Sequence, residues 1–158
     1  MTERKIDLPV SDKPAAAAPT PARDLRAEGF HGPAIRVRVA DLALEGRLAD
    51  TDLGKAIAAA LPVTGAVNVW GEEFYFRVPV EGTLDDTATL DVEVGEIGYW
   101  PMGQALAIFF GPTPLSEGDR PVPASEVSLV GRLEGVERLR DIPEPHDQPI
   151  HVEKLDGS

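Results

Sequence analysis

The feature that most constrains this chain is a short-range pattern. Apolar and polar side chains alternate with period two over brief stretches, and glycine or proline cuts nearly every stretch. Ile35-Arg36-Val37-Arg38-Val39 is the clearest case, apolar at every second position and charged between, as a strand with one buried and one wet face requires. Residues 42–48 repeat it, with Leu42, Leu44, Gly46 and Leu48 on one face, and predict the other arm of a hairpin. Further strands are predicted over 66–70, 73–80, 96–100, 105–110, 127–133 and 149–155. Gly and Pro number 15 each among 158 residues, enough to supply the turns between so many short elements. One helix is predicted over 53–61, where Asp50-Thr51-Asp52 offers N-cap chemistry, an Ala-rich body favours helix and Pro62 ends it. A second, shorter helix is predicted over 136–142. Many strands with one or two helices point to a mostly β, closed or nearly closed barrel, because closure removes unpaired strand edges.

The pattern starts near Ala34. Residues 1–33 carry five prolines and the alanine run Ala15 to Ala18, with large apolar residues sparse and aperiodic. They read as a disordered Pro/Ala-rich tail, because such a segment buries too little to offset its ordering entropy. The domain is predicted over 34–155, with 156–158 as the C-terminal end. The chain holds 27 acidic and 15 basic side chains, a formal net charge of −12. That charge predicts neither nucleic acid nor an anionic membrane as partner. With no cysteine, disulfides, thiol catalysis and Cys-based metal sites are excluded. Residues 97–116 lack charged side chains, but Gly98, Pro101, Gly103, Gly111, Pro112 and Pro114 break any spanning helix. No apolar run follows the first basic residues, so a cytoplasmic protein is expected.

Several motifs together resemble the cyclophilins. Gly95-Glu96-Ile97-Gly98-Tyr99-Trp100, then residues 104–110 ending in Phe109-Phe110, look like their paired central strands. Val127-Ser128-Leu129-Val130-Gly131-Arg132-Leu133-Glu134-Gly135 is similar to their strand with a Glu-Gly ending. A closer resemblance is to a family of small prokaryotic cyclophilin-like proteins of unassigned function, which implies a bacterial source. It rests on Leu61-Pro62, Trp70-Gly71-Glu72-Glu73-Phe74-Tyr75-Phe76, Tyr99-Trp100-Pro101-Met102-Gly103 and Ala107-Ile108-Phe109-Phe110-Gly111-Pro112-Thr113-Pro114. The resemblance covers residues 34–155. It implies a closed eight-stranded antiparallel cyclophilin-like β-barrel with short helices capping the ends, side chains filling the interior, and a binding groove on the outer face.

Period two over 73–80 places Phe74, Phe76, Val78 and Val80 toward the interior and Glu73, Tyr75, Arg77 and Pro79 outward. The resemblance gives Arg77 the catalytic role of the cyclophilin arginine, whose guanidinium hydrogen-bonds the prolyl nitrogen. That weakens the amide resonance behind a rotation barrier of about 20 kcal/mol. A surface arginine paired with Glu73 or Glu93 is the competing reading. The groove implied by the resemblance uses Glu73, Tyr75, Tyr99, Trp100 and Phe110, and Trp70 could also rim a pocket. The sequence departs from catalytic cyclophilins after Arg77. Residues 81–96 carry six acids (Glu81, Asp85, Asp86, Asp91, Glu93, Glu96) and no base, and neither Trp nor His occurs between Phe110 and Val127. Any isomerase activity is therefore expected to be weak.

No phosphate loop, dinucleotide motif, nucleophile elbow or hydrolase triad is present, and no cofactor is predicted. His31, His146 and His151 have no standard metal spacing, so no metal site is predicted. Three functions follow: a binding domain holding a peptide or small ligand, a weak peptidyl-prolyl isomerase, or an interaction subunit of a metabolic enzyme. Oligomeric state stays open. With Arg77 as the one cation beside an acidic segment, the groove is expected to prefer neutral, zwitterionic or cationic ligands over anions.

Overall fold

Alternation in the sequence becomes a single antiparallel sheet that curls until its two ends meet. The computed structural model describes residues 25–155. A four-residue helix, α1 (Leu25–Glu28), precedes β1 (Ala34–Val39) and β2 (Leu42–Leu48). These strands pair as the expected hairpin, with Val37 opposite Leu44. Ile35, Val37 and Val39 are buried, whereas Arg36 and Arg38 lie outside and meet Glu45 and Glu153. Gly46 is needed where β2 crosses its other neighbour, since a Cβ there would lie 2.0 Å from the Arg132 carbonyl oxygen.

α2 (Asp52–Ala60) follows. The Thr51 hydroxyl accepts the Gly54 N–H at 3.0 Å, a cap that contributes about 1 kcal/mol. Leu53 and Ile57 on its inner face join the main core. β3 (Val63–Ala66), β4 (Asn68–Val69), β5 (Glu73–Arg77), β6 (Ala88–Thr89), β7 (Glu96–Trp100), β8 (Ala105–Phe109), β9 (Val127–Leu133) and β10 (Pro149–Lys154) complete the strands. β5 stops short of the predicted residue 80, where Pro79 has no N–H to give a ladder. Val136–Asp141 is a 3₁₀ turn; its buried Val136 and Leu139 close over the core.

The hydrogen-bonded order is β3-β10-β1-β2-β9-β7-β8-β5-β4, with β6 paired to β9. Both ends of this order belong to one stretch, residues 63–69. Between β3 and β4, the Val67 N–H donates to the Gln148 carbonyl, and the Val67 carbonyl accepts from the Asp147 N–H. Counted as one interrupted strand, the stretch gives eight strands around a nearly closed barrel, with β6 as a short addition. Phe74, Phe76, Ile97, Tyr99 and Ile108 are buried in its interior.

Part of the segment predicted as a tail, residues 25–33, is packed against the barrel. Leu25 is buried with Ala49 and Leu129, with Phe30 packed against them. The Gly32 N–H donates to the Leu48 carbonyl, and the Leu48 N–H to the Pro33 carbonyl. Residues 25–33 therefore belong to the packed domain, although two large apolar residues without a period gave no sign of it. The rest of the predicted tail, and 156–158, lie outside the described residues. Among the described residues no helix is long and apolar enough to cross a membrane.

Candidate binding pocket

The candidate site lies on the outer face of β5, β8 and β7. Outward residues of β5 sit opposite outward residues of β8, with Glu73 facing Phe109, Tyr75 facing Ala107 and Arg77 facing Ala105. On β7, Gly98 pairs with Ala107 and Trp100 points the same way. Small residues at 98 and 107 leave a hollow between the larger side chains. Val127 fills part of it, because a Cβ on Gly98 would come within 2.7 Å of Val127 Cγ2.

Residues 112–126 fold over this face. The Ser116 hydroxyl donates to the Arg120 carbonyl at 2.7 Å, and the Thr113 N–H donates to the Ser116 hydroxyl at 2.9 Å. The segment is tied to the barrel by Trp100, whose Nε1–H donates to Ser125 Oγ at 2.8 Å. Beneath it is a pocket of about 120 Å³, walled by Trp70, Tyr75, Trp100, Phe109, Val127 and Glu73. Tyr75 and Trp100 stand edge to face, their ring centroids 6.1 Å apart and planes at 86°. Drug-sized ligands need roughly 300–1,000 Å³, so this volume suits a small molecule or a single side chain.

Glu73 is the polar group of this apolar wall. It is 7% exposed, and its Oε1 is buried without a hydrogen-bond partner among the described residues. Burial pushes its carboxyl up to about 7, since desolvation disfavours the charged form. The neighbouring Glu72 turns away to Arg140, 2.8 Å from its Nη2. Among the lining residues, Tyr75 is the other titratable group.

The acidic segment 81–96 is not the uncompensated patch expected. Glu96 is fully buried and takes a two-pronged hydrogen bond from Arg26, Nε to Oε2 and Nη2 to Oε1, both 2.7 Å. The Glu93 N–H also donates to Glu96 Oε1, at 2.8 Å. Arg120 pairs with Asp91, and Arg132 approaches Glu93. These arginines come from 26, 120 and 132, so no local reading of 81–96 could reveal them.

The sequence-predicted site residues divide between two faces. Glu73, Tyr75 and Trp100 meet in the pocket. Tyr99 does not line a groove: it is fully buried in the barrel, donates its hydroxyl to the Val80 carbonyl at 2.6 Å and accepts the Gly82 N–H at 3.0 Å. Adjacent strand residues point to opposite faces, so Tyr99 and Trp100 cannot share one groove. Phe110 is likewise inside, edge-on to Phe74 with centroids 4.8 Å apart. Its neighbour Phe109 is the outward residue, as the alternation Ala105-Leu106-Ala107-Ile108-Phe109 implies once Ile108 is assigned to the core. Arg77 is outward and exposed, but it borders a separate shallow depression with Thr64, Asn68 and Gln104. Four residues along a strand put it about 13 Å from Glu73, and it pairs with neither Glu73 nor Glu93. Among the described residues no group of three or more His, Cys, Asp or Glu could hold a metal ion.

A profile of the cyclophilin-like family matches residues 33–152, three quarters of the chain and all of the barrel but the end of β10. The chain belongs to the cyclophilin-like family. Among solved structures, this cyclophilin-like chain is similar to the solution structure of the hypothetical protein AF2241 from Archaeoglobus fulgidus. The two share 31% sequence identity with a TM-score of 0.67, over 81% of this chain and 98% of the archaeal one. No curated protein matches the chain.

Proposed function

We propose that this cyclophilin-like chain is a binding module that holds a small ligand, or one side chain of a peptide, in the outer-face pocket at Glu73. The observation that carries this reading is the Glu73 carboxyl itself, buried at an aromatic wall with its Oε1 unpartnered among the described residues. Leaving a buried polar group unpaired costs about 1–3 kcal/mol, more when it is charged. A ligand that supplies the missing donor would offset that cost. An apolar pocket with one polar group of shifted pKa is the usual form of a small-molecule site. The isomerase alternative has less support, because Arg77 and Phe110, the pair it needs, lie on opposite sides of the barrel wall.

The test is a fragment screen by indole NMR, reading the Trp70 and Trp100 side-chain signals. A ligand that shifts both, and loses its binding in Tyr75→Leu while keeping it in Arg77→Ala, is the expected result. Fragments that bind only where Arg77→Ala disrupts them would sink this reading. Isomerase activity on an Ala-Pro peptide that disappears in Arg77→Ala would revive the alternative.

A further inference from the structure

We infer that the pocket selects a small alkylammonium ion carrying an N–H, such as a mono-, di- or trimethylated amine or a methylated lysine side chain. This rests on the binding-module reading and specifies its ligand. Three observations converge on it. First, the walls are aromatic: Tyr75 and Trp100 stand at right angles and Trp70 and Phe109 join them. Perpendicular rings expose π-faces from two directions, and such faces attract cations held within about 6 Å of a ring centroid. The indole N–H of Trp100 is already committed to Ser125, so that ring recognises by its face rather than by donation.

Second, the polar atom left over is an acceptor. Glu73 Oε1 has no donor among the described residues. A quaternary ammonium would supply charge without a hydrogen bond, and an alcohol a hydrogen bond without charge. A protonated amine supplies both, in a charge-assisted bond stronger than a neutral one. Its methyl groups would meet the rings. Third, the space of about 120 Å³ takes a head group of a few heavy atoms. The net charge of −12 also raises the local concentration of cations over anions.

Glu73 makes the selection pH-sensitive. A cation binds the ionised carboxylate, so its affinity falls as the pH drops below about 7, where burial leaves the carboxyl protonated. Among the lining residues from β4–β5, β7, β8 and 123–127 the other titratable group is Tyr75, and the neighbouring Glu72 is held by Arg140.

The experiment titrates the full chain with trimethylammonium chloride, tetramethylammonium chloride and the neutral isostere tert-butanol at matched ionic strength. The readout is the Trp70 and Trp100 indole shifts. At pH 8 trimethylammonium is expected to bind in the millimolar range, as its few atoms allow. It should bind about tenfold or more tighter than tert-butanol, with tetramethylammonium between them. Glu73→Gln should remove the advantage of trimethylammonium over tetramethylammonium, and so should pH 5 in the wild-type protein, leaving only the preference of the rings for a cation over tert-butanol. Tyr75→Leu should weaken both cations and leave the pH dependence in place. If tert-butanol binds as tightly as trimethylammonium at pH 8, the pocket stands and the ammonium inference falls. If none of the three shifts the indoles, both fall.

Discussion

Two glutamates that each open a strand have opposite surroundings. Glu96 follows Gly95 at the start of β7, and Glu73 stands two residues after Gly71 at the start of β5. Both point outward from the barrel, and both are buried by something laid over it. Over Glu96 lies the 25–33 segment, which brings Arg26 to take both carboxylate oxygens. Over Glu73 lie residues 112–126, whose Pro123, Ala124 and Ser125 line the pocket and bring its Oε1 no hydrogen bond. A buried charge that is paired fastens structure together, whereas one left unpaired is a standing cost and an opening for a ligand. The contrast separates a clamp from a site, although both residues are buried.

The largest expected effect breaks the clamp. Glu96→Ala leaves Arg26 without its fork and removes an acceptor for the Glu93 N–H, and should cost about 3–5 kcal/mol in urea unfolding. Arg26→Ala should lose a similar amount, because it strands the buried carboxylate. Normal stability in both variants would mean that the N-terminal segment does not dock through this pair.

Glu73→Gln should act in the other direction. In the fold the carboxyl titrates at about 7, against an ordinary value of 4.5. Between those limits the folded state binds more protons than the unfolded chain. Stability therefore falls as pH rises from about 4.5 to 7 and stays lower above. Removing the charge should recover about 1–3 kcal/mol at pH 8 and almost nothing at pH 4. Urea midpoints collected across this range check both sign and window; a variant less stable than wild type at pH 8 would place an unseen partner on Glu73.

Smaller effects sharpen the comparison at the surface. Arg120→Ala removes an exposed partner of Asp91, about half exposed on both sides, and should cost below about 1 kcal/mol, less in high salt. Arg77→Ala should change stability by no more than about 0.5 kcal/mol and leave pocket occupancy as it was. A Tm difference of several degrees for Arg77→Ala would assign it a packing role that its exposure does not suggest.

Much of the barrel was legible because period two is a local signal. The hairpin of β1 and β2, the Thr51 cap, β7 and β9 all follow from residues adjacent in sequence. The pocket was legible only in part. Outward parity identified Glu73 and Tyr75 on β5, but the grouping of Tyr99 with Trp100, and of Phe110 rather than Phe109, ignored that parity. The Arg26–Glu96 pair spans 70 positions, and the cover over Glu73 arrives from residues 112–126. Neither contact leaves a trace in the local pattern, so the sequence alone could not tell which of the two glutamates would be satisfied.

The most direct measurement is a ¹³C carboxyl NMR titration of Glu73 in the full chain, with and without trimethylammonium. The account predicts a midpoint near 7 in the free protein, falling toward the ordinary carboxylate range when the amine is bound. A free midpoint already in that range, or one that trimethylammonium does not move, would contradict it.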